Sequence, residues 1–225
     1  MRCLVTCAAV AAATAIATSA SAGVVDVFGG QTSVLLDTDT LSSAAGLTLN
    51  SASMDVGAGD LGADSVAFGI NPTNGNLPTT FSYDPGDFLG SFGGTIEHTG
   101  SVFFDSSLGL VEVGNFTIGF DAARVDGLGG AASGFFVQST VGVQAILFDI
   151  ADPTELVASD TELRIGADLL VSDEFGSFLF DNGLAGSNLA GADVGDALVT
   201  AAVPAPGALA FLATGVICTR RRRRG

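Results

Sequence analysis

Apolar residues in the stretch 23–203 recur mostly at every second position or in short runs. In the segment 116–120, for example, phenylalanine and isoleucine alternate with Thr117 and Gly119. Alternation with a period of two puts the apolar side chains on one face of a β-strand, whereas a helix repeats them every three or four residues. The pattern therefore predicts a chain built mainly of strands.

The same signature marks further segments along the middle of the chain. The stretch 155–171 is long enough for a helix, but Leu163, Ile165 and Ala167 alternate with polar or small residues, so it is predicted as strand. No amphipathic run of helical length is found between the two ends, and no helix is predicted there. Strands are predicted at 24–28, 33–36, 47–56, 65–70, 79–83, 101–104, 116–120, 134–143, 145–150, 162–171, 175–180 and 197–203.

Turn chemistry agrees with this interpretation, because Asn-Gly and Asp-Gly pairs readily supply the positive φ of tight hairpins. The pairs are Asn74-Gly75, Asp126-Gly127 and Asn182-Gly183. Many short strands joined by such turns predict an all-β fold, an antiparallel two-sheet sandwich of jelly-roll kind with its Phe-rich faces between the sheets. Since no internal linker or repeat is found, residues 23–202 are predicted to form one domain.

Charge divides the chain into three unlike parts. All 24 acidic residues lie between Asp26 and Asp196, where Arg124 and Arg164 are the only basic residues, so this region has a formal charge of −22. Such a field repels nucleic-acid phosphates and anionic surfaces, which excludes DNA and RNA as expected partners. Because hydrophobic residues still make up 48% of the chain, the acidic region is expected to fold.

The cysteines are confined to the two ends of the chain, at Cys3, Cys7 and Cys218. The domain can therefore use neither disulfides nor thiolate chemistry, and about 180 residues can be stable without such cross-links. A lipoprotein-type signal ending at Cys7 is an alternative for the N-terminus, but almost no apolar stretch precedes that cysteine.

Residues 1–22 have the three parts of a secretory signal peptide. Arg2 supplies the positive start, the stretch 4–17 is apolar and rich in alanine, and Ala20, Ser21 and Ala22 form a small-x-small cleavage site. The protein is therefore expected to be exported from the cytoplasm, and the mature chain is expected to begin at Gly23.

Residues 203–225 form a tail that also has three parts. The first part is a motif of two prolines separated by one residue. An uncharged apolar run, 208–219, follows it, and a block of arginines comes last. A helix over 203–219 would reach about 25 Å at ~1.5 Å per residue, which predicts a short transmembrane helix. The positive-inside bias puts the arginines in the cytoplasm and the acidic domain outside. The residues concerned are Pro204, Ala205 and Pro206 for the proline motif, and Arg220, Arg221, Arg222, Arg223 and Arg224 for the cytoplasmic anchor.

This order of proline pair, short apolar helix and terminal basic cluster resembles the PEP-CTERM sorting signal. Members of that family usually have Pro-Glu-Pro, and Ala205 stands here in the position of the Glu. The resemblance covers residues 203–225 and implies processing by an exosortase-type membrane protease in bacteria that make exopolysaccharide. A plain stop-transfer anchor predicts the same orientation but a tail that is never removed.

Residues that carry catalysis are scarce in the domain. His98 is the only histidine, and its polar, turn-like surroundings predict an exposed surface residue. Transition-metal sites and a Ser-His-Asp triad lack their usual partners, so no catalytic residue and no cofactor are assigned. Glycoside hydrolysis needs only two carboxylates and stays an alternative, although the absence of Trp and the single Tyr83 weaken any sugar site with an aromatic platform.

Calcium is the remaining small partner that the composition favours, because oxygen ligands are abundant. Asp37 and Asp39, or the stretch 55–64, could gather carboxylates in a loop, but neither matches the EF-hand pattern or the nonapeptide calcium repeat. We interpret these aspartates as turn residues with local backbone bonds, and no metal site is assigned.

The leading hypothesis is an exported, surface-sorted, non-enzymatic protein of the cell envelope or of an exopolysaccharide or biofilm matrix. Its expected partners are signal peptidase, an exosortase-like enzyme and the membrane that holds the tail. A carbohydrate- or calcium-binding β-sandwich module is the first alternative, and a glycoside hydrolase is the second.

Overall fold

The computed structural model describes residues 23–204, which form fourteen strands, four helices and a 3-10 turn at Ala122–Arg124. The strands are β1 Val25–Asp26, β2 Gly29–Leu36, β3 Thr48–Ala52, β4 Val56–Ala58, β5 Val66–Gly69, β6 Ser82–Tyr83, β7 Ile96–Glu97, β8 Ser101–Ser106, β9 Gly109–Phe120, β10 Ala132–Gly142, β11 Ala145–Ala151, β12 Glu155–Ala158, β13 Glu162–Val171 and β14 Asp193–Ala202. The helices are α1 Thr38–Ala45, α2 Phe88–Ser91, α3 Gly127–Gly130 and α4 Asp173–Asp181.

The prediction of a mostly antiparallel β fold is confirmed. Every strand pairing is antiparallel, and twelve of the strands belong to one sheet with the order β3-β8-β9-β10-β11-β13-β14-β2-β5-β4, while β12 joins β13 and β7 joins β9. β1 and β6 form a separate ribbon. The twelve strands run on into one another as one continuous sheet and do not divide into two separate large sheets.

That sheet curls until its two edges meet. Ile70, which follows β5, forms an antiparallel bridge with His98, and the backbone N–H of His98 donates to Phe116 O on β9 at 2.9 Å. The N–H of Asn71 donates to Glu97 O at 2.7 Å beside this bridge. Strands from opposite edges are thereby joined, and the sheet is nearly closed.

The inward faces of the strands form the core. On β13, Leu163, Ala167 and Leu169 are buried, and on β9 Phe116 and Ile118 are buried, as their period of two predicted. They enclose an almost wholly apolar interior with a cavity of about 80 Å³. Burying these side chains from all round the sheet is the main source of stability.

Helix α1 was missed by the sequence analysis. The carboxylate of Asp37 accepts from Thr40 N at 2.9 Å and from Thr40 Oγ1 at 2.6 Å, which caps the N-terminus of the helix. Leu41 and Ala45, four residues apart, are buried, and Gly46 ends the helix with a φ of +60°. Eight residues with two apolar anchors are too few to produce a helical period in the sequence.

The strand predicted at 175–180 was wrong, because this segment belongs to helix α4. Ser172 caps its N-terminus by accepting from Phe175 N at 3.0 Å, and two acidic residues occupy the first turn, where the helix dipole favours them. Phe175 and Leu179, four residues apart, are buried. The capping residue, rather than the apolar run that follows it, determines the conformation of this segment.

His98 lies inside the sheet, and its prediction as an exposed residue was wrong. Only 2% of it is exposed. Nδ1 lies 3.0 Å from Phe116 O, which can only accept, so Nδ1 carries the proton and Nε2 accepts from Thr32 Oγ1 at 2.8 Å. Burial lowers the pKa of His98 to about 4 from an ordinary 6.5, against the opposing effect of the bond to Phe116.

Acid should therefore weaken the domain through this one residue. The folded state binds the His98 proton less tightly than the unfolded chain does. The neutral imidazole therefore contributes its full stabilisation of the fold above pH 6.5, and this contribution is lost as the pH falls towards 4. The loss should reach about 3 kcal/mol in the free energy of unfolding. We expect urea denaturation across this range to show a steeper pH dependence for the wild type than for His98→Gln.

Thr32→Val is the matched control, because it removes the hydrogen bond between Thr32 and His98 but keeps the imidazole. The stability of this variant should therefore keep its steep pH dependence. As the chain has one histidine, a single imidazole NMR signal reports its protonation directly. A signal that titrates near pH 6.5 in the folded protein would contradict this account.

Candidate functional site

The residues predicted for processing lie mostly beyond the described part of the chain. Ala20, Ser21 and Ala22, then Ala205 and Pro206, and the arginines from Arg220 to Arg224 are outside residues 23–204, as is the predicted apolar helix. Pro204 is the last described residue and is exposed. Of the helices within 23–204, none combines the length and the apolar character needed to cross a membrane.

The start of β2 lies beside the end of β14. Gly29, at the start of β2, is paired with Ala202, at the end of β14, and Phe28 N donates to Ala202 O at 3.2 Å. The residues before β2 and after β14 therefore leave the same end of the sheet.

Three of the aspartates considered for calcium lie at a helix end or in a side-chain hydrogen bond. Asp37 caps α1, Asp39 lies in its first turn, and Asp60 accepts from Gln31 Nε2 at 2.7 Å. Among residues 23–204, no group of three or more His, Cys, Asp or Glu side chains is arranged to hold a metal ion. The prediction that these aspartates bond to the local backbone holds for Asp37, which accepts from Thr40 N.

Asp168 and Asp196 lie opposite each other on β13 and β14. Partial burial, then repulsion from Asp168 and Asp193, raises the pKa of Asp196. This pair is not part of the cleft described below.

Arg124 joins three separate elements through its guanidinium group. Its Nε and Nη2 donate to the two oxygens of Asp149 at 2.6 and 2.9 Å, and Nη1 and Nη2 donate to Glu174 at 2.7 and 2.9 Å. Asp149 is only 3% exposed on β11, whereas Glu174 lies in the first turn of α4. The bonds to Glu174, then to Asp149, raise the pKa of Arg124, and the bond from Arg124 lowers the pKa of Glu174.

An apolar cleft of about 610 Å³ opens on the surface beside β12. Its lining comes from α2, the end of β9, the start of β10 and the connection from β11 to β13. The lining residues are Phe88, Leu89, Gly90, Phe92, Phe120, Ser133, Phe135, Asp152, Pro153, Leu156 and Ile165. Four phenylalanines thus meet at one place on the surface, although they are far apart in the sequence.

The phenylalanine rings of the cleft pack on one another. The ring centroid of Phe92 is 5.0 Å from those of Phe120 and Phe135, and the Phe120 and Phe135 centroids are 5.1 Å apart. Phe88 lies 5.6 Å from Phe92. Phe120 is 39% exposed and Leu89 77% exposed, so the cluster is open to solvent. Exposed apolar groups that gather in one place mark binding surfaces more often than scattered ones do.

The surrounding backbone holds the cluster in place. Gly134 has a φ of +95°, and a Cβ atom there would come within 2.6 Å of Phe120 Cε2, so the position of the ring requires glycine. Helix α2 is fixed by the Asp87 cap, which accepts from Gly90 N at 3.2 Å. At its inner side the cluster meets Tyr83, whose hydroxyl donates to Ser159 O at 2.7 Å.

Sequence reasoning missed the cleft. It placed Phe120 on the core face by its period of two from Phe116, but β9 ends at Phe120, where the ring emerges into the cleft. The available signal was the spacing of Phe88 and Phe92, four residues apart after the helix-capping Asp87, which puts both rings on one side of a turn.

Comparison with known proteins identifies no family. No protein-family model matches the chain, and no curated protein matches it. Among solved structures, the C-terminal domain of HtaA from Corynebacterium glutamicum matches with a TM-score of 0.47 and 16% sequence identity, over 80% of this chain and 99% of that one.

The ion pairs of the two domain arginines should contribute very differently to stability. Replacing Arg124 by Met leaves the buried Asp149 carboxylate unpaired, which should lower the free energy of unfolding at pH 7 by about 3 kcal/mol. Arg164→Met is the matched control, because Arg164 and Glu155 form a largely exposed pair, and its effect should be much smaller. Chemical denaturation measures both losses.

Two further measurements sharpen this test. Because Arg124 lowers the pKa of Glu174, the pair of Arg124 and Glu174 stabilises the fold at neutral pH. This stabilisation is lost as the pH falls below the ordinary carboxyl pKa of 4.5. Adding Asp149→Asn to Arg124→Met should recover part of the loss. Equal losses for Arg124→Met and Arg164→Met would contradict the assignment.

Proposed function

We propose that this chain is an exported, non-catalytic protein of the cell surface or of an extracellular polysaccharide matrix, presented to the outside through its C-terminal tail. The proposal takes the signal-like residues 1–22 and the tail 203–225 together with a cysteine-free, strongly acidic domain. A surface charge of one sign keeps such a domain hydrated and separate from its neighbours.

The observation that carries the proposal is the position of the start of β2 beside the end of β14. The residues just before β2 and just after β14 lie at the same end of the sheet. A domain with this arrangement can have both ends near one membrane during export, without any strand having to come out of the sheet. The rest of the domain then extends away from the membrane.

In this proposal each predicted processing residue has a role. Signal peptidase cuts after the Ala20-Ser21-Ala22 site, and an exosortase-like enzyme acts at Pro204, Ala205 and Pro206. The arginines Arg220 to Arg224 hold the tail on the cytoplasmic side until then.

The masses of the native protein test both cleavage steps. Protein recovered from the extracellular fraction is expected to begin at Gly23 and to end near Pro204, and intact-mass spectrometry measures both ends at once. Retention of Arg220 to Arg224 in the membrane fraction alone would favour a permanent anchor. A mass that includes residues 1–22 in every fraction would contradict export by cleavage.

Substitutions at the tail provide the control. Exchanging the five arginines for glutamine removes the positive charge and leaves the proline motif intact, so it should reduce correct membrane insertion. Pro204→Ala with Pro206→Ala keeps the charge and should affect release alone. If both variants are processed like the wild type, the tail has no role in sorting.

A ligand-binding module is the second candidate, and the aromatic cleft favours it. The absence of Trp and the single tyrosine weigh against an aromatic platform, but the half-buried Phe92 and Phe135 and the exposed Phe120 form a cluster of rings that is open to solvent. Carbohydrate or calcium-dependent carbohydrate binding remains a hypothesis for this module. Binding of exported polysaccharide that is lost in Phe120→Ala, with or without a chelator, would support it. The glycosidase hypothesis needs two carboxylates in a cleft, and the described lining contains one, Asp152.

A further inference from the structure

We infer that the aromatic cleft is a binding site for an organic cation, a quaternary ammonium ion or a related cation with apolar substituents. The inference rests on the second candidate function above, and it names the chemical class of ligand. Export and tail processing do not enter into it, so the two proposals can fail separately.

The lining of the cleft is largely apolar. Phe88, Phe92, Phe120 and Phe135 surround the cleft with aromatic carbon, and Leu89 and Leu156 extend the apolar surface outward. The volume of about 610 Å³ lies within the range of roughly 300–1,000 Å³ that small-molecule sites usually have. A ligand with apolar groups gains affinity here by removing these side chains from water.

The aromatic rings also favour positive charge. A cation within about 6 Å of a ring centroid is attracted by the negative face of the ring, and clusters of rings are the usual means by which proteins bind quaternary ammonium groups. Phe92, Phe120 and Phe135 have centroids within 5.1 Å of one another. A ligand seated in the cleft therefore lies near several rings at once.

Charge complementarity selects cations over anions. Asp152 lines the cleft, is exposed and makes no hydrogen bond or ion pair with the other described residues. The two arginines of the domain are both engaged with carboxylates, Arg124 with Asp149 and Glu174, and Arg164 with Glu155. The domain as a whole has a formal charge of −22, and among residues 23–204 no arginine is left unpaired to attract an anion to the cleft.

The same features argue against a small inorganic cation. Calcium and magnesium require several oxygen ligands around one point, and the cleft offers a single carboxylate, with Ser133, already bonded to Ile150 O, as the one other polar side chain of its lining. An organic cation differs because it carries little hydration and can exchange water for aromatic contacts. The site thus combines one charge with a large apolar surface.

A pair of ions with the same shape and opposite charge gives a direct test. Tetraphenylphosphonium and tetraphenylborate each present four phenyl groups, and equilibrium dialysis against the full chain in a neutral detergent measures their binding. A parallel cell with detergent alone gives the background. We expect the phosphonium to bind at least about tenfold more tightly than the borate, and its affinity to fall as salt is added.

Three variants locate the binding. Asp152→Asn removes the charge in the cleft and should weaken phosphonium binding about fivefold. Asp181→Asn, at the end of α4 and outside the lining of the cleft, changes the net charge equally and should leave the affinity unchanged. Phe120→Leu keeps an apolar side chain at an already exposed position but removes the ring, and it should weaken phosphonium binding several-fold.

The outcomes that overturn the inference are distinct from one another. Equal binding of both ions, or no binding of either, would show that the cleft does not select cations. Equal effects of Asp152→Asn and Asp181→Asn would place the binding in the general field of the protein and not in the cleft. An unchanged affinity in Phe120→Leu would exclude the aromatic contribution that the inference requires.

Discussion

The rest of the molecule depends on the closure of one long antiparallel sheet around a single apolar interior. Closure requires that strands from opposite edges meet, and they do so where Ile70 bridges His98 and His98 bonds to Phe116. The polar side chain of His98 lies inside at this junction, and the neutral imidazole satisfies both its nitrogens with Thr32 and the Phe116 carbonyl. A buried polar group that keeps its hydrogen bonds costs little, whereas a protonated one costs much more.

The surface features follow from this arrangement. Since the interior takes the apolar faces of the strands, the acidic residues are mostly left outside. β2 and β14 are neighbours in the middle of the sheet, with the start of β2 beside the end of β14. One edge of β13 is paired with β12 near its start and with β11 near its end. The connection between those two partners contains Asp152 and Pro153, and the aromatic cleft opens there.

Sequence reasoning could predict the strands because alternation is a local property, and β9 and β13 show it clearly. It could not predict the single sheet, since the pairing of β2 with β14 joins residues more than 150 positions apart. The helices were missed because their signals are capping residues, Asp37 and Ser172, which also occur in ordinary turns. The cleft combines phenylalanines from separate segments, so it exists only once the strands are placed.

The central claim is that the acidic domain lies outside the cell, and surface labelling of one introduced cysteine tests it most directly. Residues 23–204 contain no cysteine, and Met54, in the turn between β3 and β4, is fully exposed, so Met54→Cys provides one accessible thiol. The account predicts that a membrane-impermeant maleimide labels this variant on intact cells and leaves the unsubstituted protein unlabelled. Labelling that appears only after the cells are lysed would contradict it.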